Sequence, residues 1–237
     1  MKRSPIKGWR SLAALGLAAL LSALVGVLAV RAPAEAASTA TSTGNGHHHG
    51  PGLLTPRNAR QVAFHDQMRK LWEDHITWTR LAIVTFADSS AGFAATADRL
   101  LQNQTDLGNA IKPFYGRAAG DQLTALLREH ILIAVDLLQA AKAGDTAAFE
   151  AARTRWYANA DAVADFLSAA NPRFWPRATM RAAMKTHLDQ TLAEAAHELG
   201  GDYAASVADY EEVHAHILAM ADLLSSGIMR QFPARFR

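Results

Sequence analysis

The 237-residue sequence contains no cysteine. This absence excludes disulfide bonds, thiolate catalysis, cysteine-ligated zinc and covalently attached c-type haem, because each of these needs a thiol. A domain without disulfides must be stabilised by its hydrophobic core. Half of the residues are hydrophobic, so a chain of this length can bury one large core. The sequence therefore predicts one good-sized domain with an N-terminal extension.

Several catalytic and nucleotide-binding motifs are also absent. There is no glycine-rich phosphate loop after a strand, no G-x-S-x-G, no H-E-x-x-H and no dinucleotide fingerprint. No run of alternating or β-branched residues after Pro56 predicts a strand. A nucleotide-dependent kinase or a sugar-nucleotide transferase needs an α/β platform, which this sequence does not provide. The sequence favours a protein without catalytic activity.

The positive net charge belongs to the N-terminal segment alone. The first 36 residues hold five of the 24 Lys and Arg residues and one of the 22 Asp and Glu residues, which leaves 19 basic and 21 acidic groups after residue 36. The remainder is therefore slightly acidic. No nucleic-acid partner is predicted, because a nucleic-acid surface needs clustered basic residues.

The N-terminus has the plan of an export signal. Four basic residues within the first ten precede an apolar run over 12–30, and Ala34-Glu35-Ala36 offers a cleavage site. The apolar run approaches the length that spans a bilayer. Residues 1–31 are therefore predicted to be either a cleaved signal peptide or an uncleaved membrane anchor. In both cases the body of the protein lies outside the cytoplasm, at the outer face of the membrane, in the periplasm or secreted.

Residues 32–56 are rich in Ala, Ser, Thr, Gly and Pro, which is typical of a disordered tether. The tether contains His47, His48 and His49, which could chelate a transition metal at low affinity. The alternative is a chance polar tract in a linker, and a site that is not preorganised favours this alternative.

From residue 57 onward the apolar spacing predicts helices and short connections. Gly144, Asn171-Pro172 and Gly200-Gly201 mark helix ends, and Asp145 and Asp202 are predicted N-caps. Pro113 and Gly116 predict a broken connection over about 105–116. The fold class is therefore all-α, an up-and-down bundle of four to five long helices within residues 57–233. The predicted helices span about 57–88, 91–103, 119–142, 146–169, 176–199 and 203–231.

Three histidines, His75, His130 and His187, each occupy the middle of an apolar stripe on a different predicted helix. A single histidine on such a face is usually a hydrogen-bonded core residue. Three of them suggest a shared site, because bundles build metal and cofactor sites from side chains on facing helices. Imidazole nitrogens suit copper, zinc, nickel or iron. Met184 would favour copper, whereas Glu194 would favour iron, manganese or zinc, so both are predicted to assist.

Three alternatives stay open. The first is a structural or interaction bundle at the cell envelope whose core histidines are only hydrogen-bonded. The second is a haem b held by two histidines or by a histidine and a methionine, since this needs no cysteine. The third is a di-iron oxidase, because two Glu-x-x-His pairs occur, Glu194/His197 and Glu211/His214.

Other polar residues of the predicted helices have simpler interpretations. Asn103, Asp106 and Asn109 are expected to cap helices and form turns. Arg80, if buried, is expected to pair with a carboxylate. The candidate partners are Asp106, Asp161 and Asp222.

Several blocks of the chain carry a family resemblance. They are Leu71 to Arg80, Arg99 to Gln104, Gly108 to Gly116, Glu129 to Ala134, Trp156 to Asp161, Asn171-Pro172 and Met220 to Asp222. Over about 65–233 the chain resembles a set of small exported or membrane-anchored bacterial helical proteins without an established function. Members of such sets often carry labels such as glycosyltransferase or acetylglutamate kinase. The resemblance implies a helical fold and a location outside the cytoplasm, and it implies no mechanism.

Overall fold

The computed structural model describes residues 53–237, and within this range every regular element is helical. The predicted signal or anchor over 1–31 and the histidines at 47–49 lie outside the described residues. The prediction of an all-α bundle is confirmed. The helices are α1 (Ala59–Ala87), α2 (Phe93–Ala143), α3 (Thr146–Ala170), α4 (Arg177–Gly200) and α5 (Tyr203–Gln231), followed by a 3-10 turn (Pro233–Phe236).

Local signals in the sequence set most of the helix boundaries. The side chains of Asp145 and Asp202 accept backbone N–H groups in the first turns of α3 and α5, at 3.0 and 3.1 Å. Gly144 and Gly201 end α2 and α4 with φ values of 73° and 77°, a left-handed conformation that favours glycine. The predicted caps and ends at these four residues are confirmed.

The predicted broken connection over 105–116 is wrong in extent. The chain stays helical through this stretch and departs from helical geometry at Gly116, where φ is 85° and ψ is 168°. There it turns back on itself, since the Arg128 side chain donates to the carbonyl oxygen of Leu101 at 3.0 Å. We call residues 93–115 the first arm of α2 and residues 117–143 the second arm. Pro113 lies inside the first arm, three residues before this turn, and it removes one hydrogen bond, the one that its backbone nitrogen would donate to the carbonyl oxygen of Asn109.

The two arms approach so closely that their contact requires glycine. A Cβ atom added to Gly120 would lie 2.6 Å from the carbonyl oxygen of Gly108, and one added to Gly108 would overlap Thr124. Lys112 and Asp121 form an ion pair of 2.6 Å across the same contact. The helical hairpin is therefore fixed by backbone-to-backbone packing.

The polar residues of the first arm do not cap helices or form turns, so that expectation is wrong. Asn103 is fully buried, and its amide donates to the carbonyl oxygen of Leu71 at 2.9 Å. Asp106 accepts a hydrogen bond from Gln102 at 3.1 Å within the helix, and Asn109 is an exposed helical residue. Asn and Asp have a low propensity for helix interiors, but this preference is weak, and here the packing of α1 against α2 outweighs it.

Each helix packs against its neighbours in the sequence, and α5 returns to α1, which closes the bundle. The main hydrophobic core runs through all five helices. It includes Trp72, Leu127, Trp156, Leu188 and Ile217, one from each helix in chain order. Within residues 53–237 no helix is both long enough and apolar enough to cross a membrane.

Candidate metal centre

His75 on α1, His130 on the second arm of α2 and His187 on α4 meet inside the bundle. Their exposed fractions are 3%, 3% and 4%. The ring centre of His187 lies 5.7 Å from that of His75 and 6.1 Å from that of His130. The structure thus brings together the three histidines that the sequence singles out.

The three rings line an interior cavity of about 50 Å³. Two threonines, Thr79 and Thr191, also line it. The other lining side chains are apolar, among them Ile83 and Leu138, except for Trp156, whose indole N–H is buried without a partner. No carboxylate lines it. A cavity of this size can hold an ion or a water molecule, whereas pockets for larger organic ligands measure roughly 300–1,000 Å³. A haem would therefore require the bundle to open.

Two tryptophans cover the histidine rings. Trp156 stacks on His130, with ring centres 5.3 Å apart and planes at 27°. Trp72 contacts the edge of His75 at 5.5 Å. Both tryptophans are buried in the main core, so the imidazoles lie in an apolar and water-poor environment.

The hydrogen bonds of His130 assign its proton to Nδ1. Asn159 Oδ1 lies 2.9 Å from His130 Nδ1. The amide of Asn159 is oriented by its other side, where Nδ2 donates to the carbonyl oxygen of Leu126 at 3.2 Å and to Glu129 Oε2 at 3.3 Å. The oxygen of Asn159 must then accept from Nδ1–H. His130 Nε2 therefore carries a lone pair, and this buried atom has no hydrogen-bond partner.

His187 shows the same arrangement with a hydroxyl group. The Thr191 hydroxyl donates to the backbone carbonyl of His187 at 2.8 Å, so its oxygen is the acceptor in the 3.4 Å contact with His187 Nδ1. The proton of His187 is thereby assigned to Nδ1, and its Nε2 is left as a lone-pair donor. Partners of this kind orient metal-ligating histidines in proteins.

His75 lies against the side-chain amide of Gln104. The amide nitrogen of Gln104 donates to the carbonyl oxygen of Leu100 at 2.8 Å and to Asn103 Oδ1 at 3.2 Å, and it lies 3.3 Å from His75 Nδ1. Both hydrogens of this nitrogen thus have oxygen acceptors, so the contact does not assign the proton of His75. The other end of the amide, Gln104 Oε1, is buried without a partner.

Burial keeps all three imidazoles neutral. It lowers the pKa of His75 to about 3, with His130 contributing, and the pKa of His130 to about 4. The pKa of His187 is held well below its ordinary value by burial and then by the other two rings. Neutral imidazole is the form that binds metal, so at pH 7 no imidazolium has to lose a proton before a metal can bind.

Arg80 forms a buried ionic cluster with α4, and the prediction of an Asp106, Asp161 or Asp222 partner is wrong. Its guanidinium contacts Glu194 at 3.2 Å and Glu198 at 3.0 Å, and it also donates to the hydroxyl of Ser206. Asp222 instead pairs with Arg69 at 2.8 Å.

Glu194 is fully buried and belongs to this cluster. Burial raises its pKa to about 7, against the opposing effect of Arg80. Its Oε1 contacts Arg80, and its Oε2 has no partner. Neither Glu194 nor Met184 lines the histidine cavity, and Met184 is buried in the main hydrophobic core.

The two Glu-x-x-His pairs are engaged elsewhere. His197 contacts Asp209 at 2.6 Å, and His214 contacts Glu73 at 2.8 Å. Glu211 is exposed. These pairs therefore do not face each other across the bundle, and the di-iron alternative gains no support from their positions.

Asn159 and Gln104 are the functional residues that the sequence reasoning missed. Asn159 lies three residues after Trp156 on the buried face of α3. An amide within an apolar stripe was the signal that could have identified it, because a buried amide needs partners.

Coordination of one ion by the three histidines would require their rings to move. Within residues 53–237 no group of three or more His, Cys, Asp or Glu side chains is arranged to hold a metal as it stands. With metal–nitrogen bonds of about 2.0–2.1 Å, imidazoles around one tetrahedral ion have ring centres about 5 Å apart. The observed separations of 5.7 and 6.1 Å would have to shorten by about 1 Å.

No protein-family model, no curated protein and no solved structure matches this chain. The resemblance to exported bacterial helical proteins therefore stays a prediction.

Acidification should destabilise the fold through the histidines. An unfolded histidine has a pKa of about 6.5, and the folded values for His75 and His130 are about 3 and about 4. Above pH 6.5 both histidines are neutral in the folded and in the unfolded protein. Below pH 6.5 the unfolded chain binds protons that the folded protein does not bind. The free energy of unfolding therefore falls until the pH reaches the folded pKa, by about 3 kcal/mol for His130 alone. Glu194 acts in the opposite direction between about 4.5 and 7, because its folded pKa is raised.

Urea unfolding at several pH values between 7.5 and 4 measures this effect. With three histidines against one carboxyl group, the free energy of unfolding should fall across this range. A His130→Leu variant should show a shallower fall. An equal pH dependence in both proteins would contradict the assignment.

Proposed function

We propose that this protein binds one transition-metal ion, copper, iron or zinc, through His75, His130 and His187, and that it does so without catalysing a reaction. The observation that carries the proposal is the unpartnered Nε2 of His130. Its lone pair is held in place by Asn159 at the other ring nitrogen. This is the arrangement of a histidine prepared for a metal.

The alternative is a structural bundle whose histidines are only hydrogen-bonded. A structural core histidine normally has both ring nitrogens satisfied, because an unmet buried acceptor costs about 1–3 kcal/mol. His130 lacks a partner at Nε2 although Asn159 satisfies its Nδ1. A bound ion would satisfy this nitrogen and that of His187 together.

His75 would complete the site through its Nε2. Binding through Nε2 requires that the proton lie on Nδ1. Rotation of the Gln104 amide would then present Oε1, which is buried without a partner, as an acceptor for Nδ1–H, and Gln104 would give up its bonds to Leu100 and Asn103. His130 and His187 need no such change.

The N-terminal segment supports a role outside the cytoplasm. The export signal or anchor predicted for residues 1–31 would place the bundle at the outer face of the membrane, in the periplasm or in the medium. Its membrane contact would be made by this segment. His47, His48 and His49 would serve as an accessory site of low affinity.

The metal content of the purified protein tests the proposal. We would prepare the full chain in detergent with a histidine-free affinity tag and with His47, His48 and His49 each replaced by asparagine. About one equivalent of one metal is expected by mass spectrometry, because the centre offers one cavity. His187→Leu should lose the metal, whereas the control His214→Leu, which removes a partly buried histidine that pairs with Glu73 away from the cavity, should retain it. A folded protein that takes up no copper, zinc or iron would support the structural alternative.

A further inference from the structure

We propose that the centre formed by His75, His130 and His187 selects a monovalent d10 ion, physiologically Cu(I), over divalent zinc and iron. This inference rests on the proposed metal-binding function and specifies its ligand. Two features of the site carry it: the charge of its lining and the number of available donor atoms.

The lining of the cavity carries no negative charge. The ligands are three neutral imidazoles, and the remaining lining side chains are uncharged: apolar side chains, two threonine hydroxyls and the Trp156 indole. The nearby acidic residue Glu194 is directed to Arg80. The cost of burying an ion rises with the square of its charge, so a dication costs about four times as much as a monocation of similar size. Without a carboxylate, this environment disfavours Zn²⁺ and Fe²⁺.

The number of donors is also low. Two nitrogens, Nε2 of His130 and of His187, are prepared as lone-pair donors, and His75 can supply a third. The hydroxyls of Thr79 and Thr191 donate to backbone carbonyls at 2.8 Å in their own helices. Structural zinc sites in proteins use four ligands, whereas Cu(I) and Ag(I) are satisfied by two or three. The site therefore supplies the two or three nitrogen donors that a monovalent d10 ion needs.

A competition experiment tests this inference. The full-length protein with residues 47–49 replaced by asparagine would be equilibrated without oxygen against equal concentrations of Cu(I), Zn(II) and Fe(II). The Cu(I) chelator bicinchoninate would set the free copper concentration, and Ag(I) would serve as a redox-inert probe in a parallel series. One equivalent of Cu(I) or Ag(I) is expected, with a preference over Zn(II) of about 100-fold or more.

Two variants separate the possible outcomes. His130→Leu should lose Cu(I) and Ag(I), and Glu194→Gln should retain both, because the carboxylate is not needed to neutralise a monovalent ion. Equal or tighter binding of Zn(II) or Fe(II), lost in His130→Leu or Glu194→Gln, would overturn the selectivity and leave the proposed metal-binding function standing. A folded protein that binds none of these ions would overturn both.

Discussion

Replacing Arg80 with methionine should lower the free energy of unfolding by about 3–5 kcal/mol, because it leaves buried carboxylates without their cation. Glu194 is fully buried and Glu198 nearly so, and Arg80 is the cation that contacts both. Methionine preserves much of the side-chain volume, so the loss reports charge and not a cavity. Urea unfolding monitored by circular dichroism measures it.

The matched control is Arg177→Met, which breaks an exposed ion pair. Asp165 keeps a second partner, because Arg181 contacts it through two hydrogen bonds of 2.8 Å. This variant should unfold nearly as the wild-type protein does, since exposed ion pairs contribute little. Adding Glu194→Gln to Arg80→Met should recover part of the lost stability. Equal losses for Arg80→Met and Arg177→Met would show that the buried cluster is not special.

His130→Leu should abolish stoichiometric metal binding, with a loss of affinity of at least about 100-fold, and should leave the fold intact. The two side chains are close in volume, and the surroundings of His130 are apolar apart from Asn159. The substitution removes the unpartnered Nε2 but leaves Asn159 Oδ1 without its donor, so two opposing effects of about 1–3 kcal/mol each should nearly cancel and the stability should change little. Metal content and thermal unfolding of the same preparation measure both effects.

Asn159 provides a graded comparison. Asn159→Leu removes the acceptor that holds the proton of His130 on Nδ1, but it keeps all three histidines. Its metal affinity should fall by about 10–100-fold, as for other partners of metal-ligating histidines. If Asn159→Leu bound metal as tightly as the wild-type protein, the assignment of the His130 proton would be wrong.

The helix boundaries could be predicted where the chain itself carries the signal. Asp145 and Asp202 bond to the helix that follows them, and Gly144 and Gly201 adopt a conformation that other residues avoid. These interactions are local. The sequence predicts too short a first arm of α2, because Pro113 favours a helix end when its neighbours in the fold are unknown. The contact between Gly108 and Gly120 involves residues twelve apart in sequence, and it became visible in the folded chain.

The candidate site could be predicted in part for the same reason. A histidine in an apolar stripe is visible in the sequence, so His75, His130 and His187 were identified. Which amide faces which imidazole depends on the rotation of two helices relative to each other, and the pattern of one helix does not contain that rotation. Asn159 and Gln104 were missed on this account.

The reversal at Gly116 restricts how this protein can vary in length. The arms of α2 lie side by side in opposite directions, with Gln104 on one and His130 on the other. Deleting one residue from a helix rotates the residues beyond it by about 100° relative to those before it. A deletion between Gln104 and Gly116 would therefore turn the Gly108 face away from Gly120 or carry Gln104 away from His75. Insertions and deletions in natural variants should thus be rare within the arms and concentrate in the connections between helices.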